Sequence, residues 1–258
     1  MPFPLVGNYL NVIGKAPARV WQALEIDRRF MDMKAIYSFA ALVGALAFVM
    51  PMTSSAELSF NIGVVSLYKD RGVDQEGRDE GVRPAVQGGV DYDFGNGLYV
   101  GNWNSSGRFG NADAEVDLYA GYRFQVTNDV GLDVGYVHYY YPGEGAWNSG
   151  EAYVGLGYQR LSLKIYRGMR RDVNDGDMYY RLTYMHPIID KLDFKVGLGY
   201  QHFHASDLHG KVDYSVGLSY AIGKYVSLSG DVSGANRRND VDDGSRDTRF
   251  ILGLNAAF

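Results

Sequence analysis

The sequence predicts an all-β fold, a single closed antiparallel transmembrane barrel of about 12 strands. Three observations carry this expectation. From Glu57 onward the chain is a succession of alternating apolar and polar segments with no helical period. The connections between these segments are alternately tight and long. The last eleven residues put Thr248, Phe250, Leu252, Leu254, Ala256 and Phe258 on one face, and Arg249, Ile251, Gly253, Asn255 and Ala257 on the other. A globular chain seldom leaves such an amphipathic strand as a free end, whereas a closing barrel strand fits the pattern.

Composition bounds the reading. The 258 residues include 33 glycines, 21 tyrosines, 7 prolines and no cysteine, with a formal charge of −5. Without cysteine there are no disulfides, thiolate metal sites or cysteine nucleophiles. A mean hydropathy of −0.21 excludes a bundle of apolar transmembrane helices. A barrel escapes that limit because only alternate residues meet lipid. An acidic chain with no basic patch also excludes nucleic acid as a partner.

The amino-terminal region reads as targeting sequence. Met31-Asp32-Met33-Lys34 precedes the apolar run Ala35–Met50, and Pro51–Ala56 follows with small residues at Ser54 and Ala56. This is the layout of a signal peptide over 31–56, cleaved after Ala56. The run is short of the ~20 apolar residues that a spanning helix needs. Residues 1–30 are then an upstream extension or a start-site artefact, and 57–258 is the barrel. Removing residues 1–56 takes away five basic and three acidic side chains, so the barrel is more acidic than the whole chain.

Twelve strands are predicted, in order: Leu58–Tyr68, Arg83–Phe94, Gly97–Ser106, Asp113–Phe124, Val130–Tyr141, Glu151–Tyr158, Arg160–Arg167, Asp177–His186, Lys191–Phe203, Lys211–Ile222, Lys224–Gly234 and Arg246–Phe258. The fourth shows the pattern well, with Val116, Leu118, Ala120, Tyr122 and Phe124 on one face and Glu115, Asp117 and Arg123 on the other. The short connections are Gly95-Asn96, Gln125–Asp129, Gln159, Pro187–Asp190 and Gly223. The long ones are Lys69–Val82, Gly107–Ala112, Pro142–Gly150, Gly168–Gly176, His204–Gly210 and Ala235–Ser245, and their Gly, Asn, Asp and Arg content predicts solvated loops. Short turns at one end and longer loops at the other match outer-membrane barrels, with turns and both termini periplasmic.

A water-soluble barrel would also show period two, with its apolar face inward. Here that would leave charges on strand after strand with nowhere to go. Burying Asp117, Arg123, Asp133, Lys195 and Asp213 in a dry core would cost several kcal/mol per unpaired ion. Inverted, with the apolar face on lipid, the same charges face a wet lumen. Aromatic clusters near strand ends are read as interfacial girdles: Tyr68, Tyr92, Tyr139-Tyr140-Tyr141, Tyr179-Tyr180, Tyr225, Trp103 and Trp147.

Several stretches resemble the proteobacterial TorF porin family. They are Asp70-Arg71-Gly72-Val73-Asp74-Gln75, Arg83–Tyr92, Gly97–Trp103, Glu115–Tyr122, Gly135–Gly143 and Glu151–Leu156. The likeness spans roughly 58–158, and in the C-terminal half rests on the strand pattern and the final Phe. It implies an exported outer-membrane barrel with a porin role and names no substrate. Residues 1–30 depart from it.

The expected function is passive diffusion of small solutes or ions. Barrels of eight strands fill with their own side chains, and those of about 16 to 18 leave a channel, so twelve predict a narrow pore. The expected pore lining is Asp91, Asp93, Glu115, Asp117, Asp133, Glu151, Asp193, Asp213 and Asp231, with Arg123, Lys164, Arg181, Lys195 and Arg249. Nine acids against five bases imply weak cation preference, and cross-strand pairing accounts for at least half of these charges. Arg167, Arg170, Arg171, Arg237 and Arg238 at the outer rim suit lipopolysaccharide phosphates. Phe258 at the periplasmic face is the expected signal to outer-membrane assembly machinery. No catalytic constellation, cofactor motif or metal site emerges. Asp240–Gly244 and Asn174–Asp177 look faintly like calcium loops but lack the following Glu, and read as turns. The alternatives are a structural or adhesive barrel, or a lipid-modifying enzyme at the rim using His204 and Ser206, with His138 and His202 nearby.

Overall fold

The computed structural model describes residues 56–75, 83–171, 173–204, 209–236 and 247–258. The upstream extension, the signal peptide through Ser55, Ser206, Arg237, Arg238 and Asp240–Gly244 lie outside the described residues. Fourteen strands occur among those described, and no helix. They are β1 Glu57–Val65, β2 Lys69–Asp70, β3 Val73–Asp74, β4 Ala85–Asp93, β5 Leu98–Phe109, β6 Ala112–Gln125 and β7 Val130–Tyr140. Then come β8 Ser149–Tyr158, β9 Leu161–Gly168, β10 Met178–Ile189, β11 Leu192–His202, β12 Lys211–Ala221, β13 Val226–Ala235 and β14 Arg249–Ala257. Twelve of them close an antiparallel barrel in the order β1-β14-β13-β12-β11-β10-β9-β8-β7-β6-β5-β4, as the sequence predicts. The other two, β2 and β3, form a small hairpin of their own.

Alternation sets the outer surface. Leu58, Ile62, Phe250 and Leu252 are each more than half exposed, and Leu118, Leu156, Leu198 and Leu218 join the same apolar face. Each is one residue away from a polar or small side chain that points inward. The seam is closed by β1 against β14, Asn61 opposite Ala257 through Val65 opposite Gly253. Two backbone bonds between Phe60 and Phe258, of 3.1 and 2.9 Å, extend it, so no unpaired edge faces lipid.

Four expectations about connections and rings change. The first strand ends at Val65 rather than Tyr68, because the chain turns into the β2–β3 hairpin. Gly107–Ala112 is no long loop: β5 runs to Phe109 across a register shift after Ser106, and Gly110, at φ 66°, makes a tight turn into β6. Likewise Pro187 lies inside β10, at an irregularity that accommodates its missing N–H, and the turn is Asp190-Lys191. Tyr68, Trp103, Tyr139, Tyr141 and Tyr179 are buried inside the barrel, not in a girdle. Tyr92, Tyr140, Tyr180 and Tyr225 do face outward. In the Tyr139-Tyr140 and Tyr179-Tyr180 pairs the alternation sends one ring each way.

Candidate functional site in the barrel lumen

Glycine organises the inner wall. On three strand triplets a base, a glycine and an acid share one register: Lys164, Gly155 and Asp133; Arg181, Gly199 and Asp213; Lys195, Gly217 and Asp231. With no side chain on the middle strand, the charged groups reach over it. Lys164 Nζ meets Asp133 Oδ2 at 2.9 Å, and Arg181 Nη1 meets Asp213 Oδ1 at 2.7 Å. Asp231 leans over Gly217, where an added Cβ would lie 1.9 Å from its Oδ1.

Tyrosines use the same device on β5 to β8. Tyr99 stands opposite Gly121, Tyr119 opposite Gly101, and Tyr153 opposite Gly135. The rings lie across those glycines. Tyr119 donates to Asp91 at 2.6 Å, Tyr99 donates to Asp133 at 2.6 Å, and the Tyr99 and Tyr153 hydroxyls also share a bond. Charge-assisted bonds of this kind stabilise by about 1.5–3 kcal/mol each when buried. Trp103, Tyr139 and Tyr166 complete a packed aromatic half of the lumen.

In the opposite half, from β10 to β14, small residues hold most inward positions of β12 and β13. Ser215, Gly217, Ser219, Ser227, Ser229 and Ser233 line a cavity of about 440 Å3. Its wall runs from the hairpin at one end to Asp193 and Asn255 near the turns.

Sequence reading expects a solvated loop at Lys69–Val82. Instead Lys69–Gln75 folds into the lumen and is almost wholly buried. The pairs Lys69–Asp74 and Asp70–Val73 flank a two-residue turn in which Arg71 (φ 40°) and Gly72 (φ 79°) both have positive φ, the mark of a type I′ hairpin. Arg71 crosses to the far wall. Its Nη2 and Nη1 donate to the Glu151 carboxylate on β8 at 2.6 and 3.1 Å, and Nη1 donates to Gln201 Oε1 on β11 at 2.9 Å. The guanidinium lies 4.0 Å from the centre of the Tyr179 ring. Glu151 also accepts from Tyr139 at 2.8 Å, and Glu115 accepts from Tyr68 and Tyr141 at 2.9 Å each. In this hairpin burial pushes the Asp70 carboxyl well above its usual range. Glu115 and Asp213 add to that, while Arg71 and Lys211 oppose it.

All fourteen residues expected to line the pore lie on inward-facing positions of the strands. Glu115, Asp117, Glu151 and Asp213 are buried around the hairpin. Arg123 lies 3.8 Å from Asp93, and Arg249 lies 3.6 Å from Asp74 and 3.8 Å from Asp247. Only Arg181, Asp193, Lys195, Asp213 and Asp231 of that set border the cavity. For Lys164–Asp133 and Arg181–Asp213 the expected ladder between neighbouring strands becomes pairing across an intervening strand, because the neighbouring inward position is glycine. The sequence reading missed Lys69, Asp70, Arg71 and Lys211, and although it puts Gln201 on the polar face with Asp193 and Lys195, it leaves Gln201 out of the pore lining. Parity alone could have found Lys211, which shares the inward face with Asp213.

Outside the lumen, Asn174 donates to Gly150 O at 3.1 Å and Asp177 accepts from the His204 N–H at 2.8 Å, so both serve a turn. Arg167 and Arg171 are exposed at the loop end of the barrel, and Arg170 donates to Gly145 O at 3.2 Å.

A twelve-strand closed barrel with an apolar outer belt and a polar, charge-paired lumen has the porin-like outer-membrane β-barrel fold. The chain belongs to the family described as a bacterial protein of unknown function (Gcw_chp), whose model matches residues 50–255. No curated protein matches it in sequence. Among solved structures, the KdgM porin superposes with a TM-score of 0.56 at 14% identity, over 78% of this chain and 99% of that one. A KdgM porin in complex with disordered oligogalacturonate gives 0.55 at 12%, over 79% and 99%. The NanC porin gives 0.55 at 11%, over 78% and 99%. At these identities the likeness speaks for the fold.

Proposed function

We propose that the chain is an outer-membrane channel for passive diffusion of small polar solutes and ions, and that they pass through the half of the lumen facing β10 to β14. The cavity carries this reading: it opens beside the inward serines and Gly217 of β12 and β13, where the other half is filled with rings. The signal-peptide pattern, the TorF-like stretches and the porin neighbours support the location. Cation preference is weak, because the acids and bases bordering the cavity are balanced: Asp70, Asp193, Asp213 and Asp231 against Lys69, Arg71, Arg181 and Lys195. The preference rests on Asp193, for which no ion pair occurs among the described residues, near the turn end.

Residues Glu57–Phe258, refolded into planar bilayers, test the proposal. Small, ohmic single-channel steps with a reversal potential displaced toward cations are expected under a salt gradient. Anion preference would overturn the selectivity, and silence at every voltage would favour a structural barrel closed by its hairpin. The rim residues Arg167, Arg170 and Arg171 are proposed to contact phosphates of lipopolysaccharide, and the β14 end at Phe258 to be read by the assembly machinery.

A further inference from the structure

We propose that the Lys69–Asp74 hairpin is the size-selecting constriction of this channel and that Arg71 fixes its aperture. The inference rests on the channel reading above and goes beyond it by naming the element and the residue that select solutes.

Position comes first. The hairpin leaves the wall after β1, yet a Cβ added at Gly72 would stand 2.6 Å from Ala235 Cβ and 2.8 Å from Asp213 Cβ. The tip therefore touches the wall at β12 and β13. Arg71 continues to Glu151 on β8, nearly opposite β1 in the ring of strands. Lys69, Asp70, Arg71 and Gly72 border the cavity. A solute entering from the loop end has to pass beside them.

The choice of arginine comes second. A type I′ turn needs positive φ at both central positions, and Asn or Gly takes the first at little cost. Arginine at φ 40° is strained, and persists where its surroundings over-determine it. Those surroundings are the forked bond to Glu151, the bond to Gln201 and the face of Tyr179. The turn has no use for this side chain; the opposite wall does. The base of the hairpin is fixed to the wall independently, by Arg249 at 3.6 Å from Asp74 and by the Arg108 N–H on Gln75 O at 3.2 Å. Loss of Arg71 thus frees the tip and leaves the base anchored. The rim carries both signs at close range, which suits compact polar solutes of either charge and excludes bulky ones.

The variant Arg71→Gly tests this, since glycine keeps the positive-φ turn and removes the side chain that carries the guanidinium. Single-channel conductance and the size limit for sugars and graded polyethylene glycols are measured beside wild type, Glu151→Gln and a chain lacking Lys69–Asp74. Folding of each is checked by β-sheet circular dichroism and resistance to detergent unfolding. Conductance is expected to rise about twofold in Arg71→Gly, with larger sugars admitted, and to rise further in the deletion. Glu151→Gln gives a smaller rise and carries the test if Arg71→Gly does not fold. A silent wild type with a conducting Arg71→Gly also supports the constriction, as a full stopper. If wild type conducts and no variant changes conductance or size limit, the constriction is refuted and the channel stands. If all variants are silent, the channel reading falls and this inference with it.

Discussion

An inward glycine in this barrel does the work of a missing wall: it lets two charges on alternate strands meet. Gly199 shows the constraint most sharply, since an added Cβ would stand 2.1 Å from Asp213 Oδ2 and 2.4 Å from the Tyr179 hydroxyl. Both neighbours are pinned, Asp213 by Arg181 and Tyr179 by Asp213 itself at 3.2 Å. Gly199→Ala is expected to cost about 1–3 kcal/mol by overpacking, read as a lower urea midpoint in lipid vesicles. Gly223→Ala, with nothing within 4 Å of its Cβ position, should stay within about 0.5 kcal/mol of wild type. Equal losses at the two sites would refute the spacer role. Which residues face inward was legible from parity, down to Asp133 and Lys164. Their partners were not, because pairing over a skipped strand depends on register, and register is set by turns whose exact ends alternation leaves open.

At the scale of elements, all twelve barrel strands were legible because lipid on one side and a polar lumen on the other impose strict period two. The β2–β3 hairpin was not, since Asp70-Arg71-Gly72-Val73-Asp74 has the composition of a solvated loop and only its partners make it an inner element. Its chemistry gives a pH prediction. Burial raises the Asp70 carboxyl, with Glu115 from β6 and Asp213 from β12 in the same sense, and Arg71 and Lys211 opposing. A docked hairpin thus holds this proton more tightly than a released one. Docking is strongest at acid pH and weakens as pH rises through the raised value, above the ordinary carboxylate range. Conductance or open probability should accordingly increase from acid toward neutral pH, and Asp70→Asn should flatten that dependence. An unchanged pH profile in Asp70→Asn would show that another of the facing groups controls it.

At the scale of the molecule, the barrel divides its interior between two tasks. Tyr99, Tyr119, Tyr139, Tyr153 and Tyr166 fill the β5 to β9 side, and three of them, Tyr99, Tyr119 and Tyr139, donate to carboxylates, which stiffens that wall. On the β10 to β14 side, β12 and β13 keep serine and glycine at most inward positions, and space remains beside the charge pairs. A symmetric twelve-strand lumen lined by long side chains all round would have its free space spread thin. Concentrating bulk on one side leaves the cavity beside β10 to β14. The division makes substitutions on the two sides separable. Ser219→Trp, bordering the cavity, should reduce conductance several-fold with little change in urea midpoint, because the ring enters open space. Tyr119→Phe removes the donor to Asp91 and leaves that buried carboxylate short of a partner. It should lower stability by about 1–3 kcal/mol while leaving conductance near wild type. If instead Tyr119→Phe opened the channel and Ser219→Trp left it untouched, the passage would lie on the aromatic side, and the assignment of the two halves would have to be reversed.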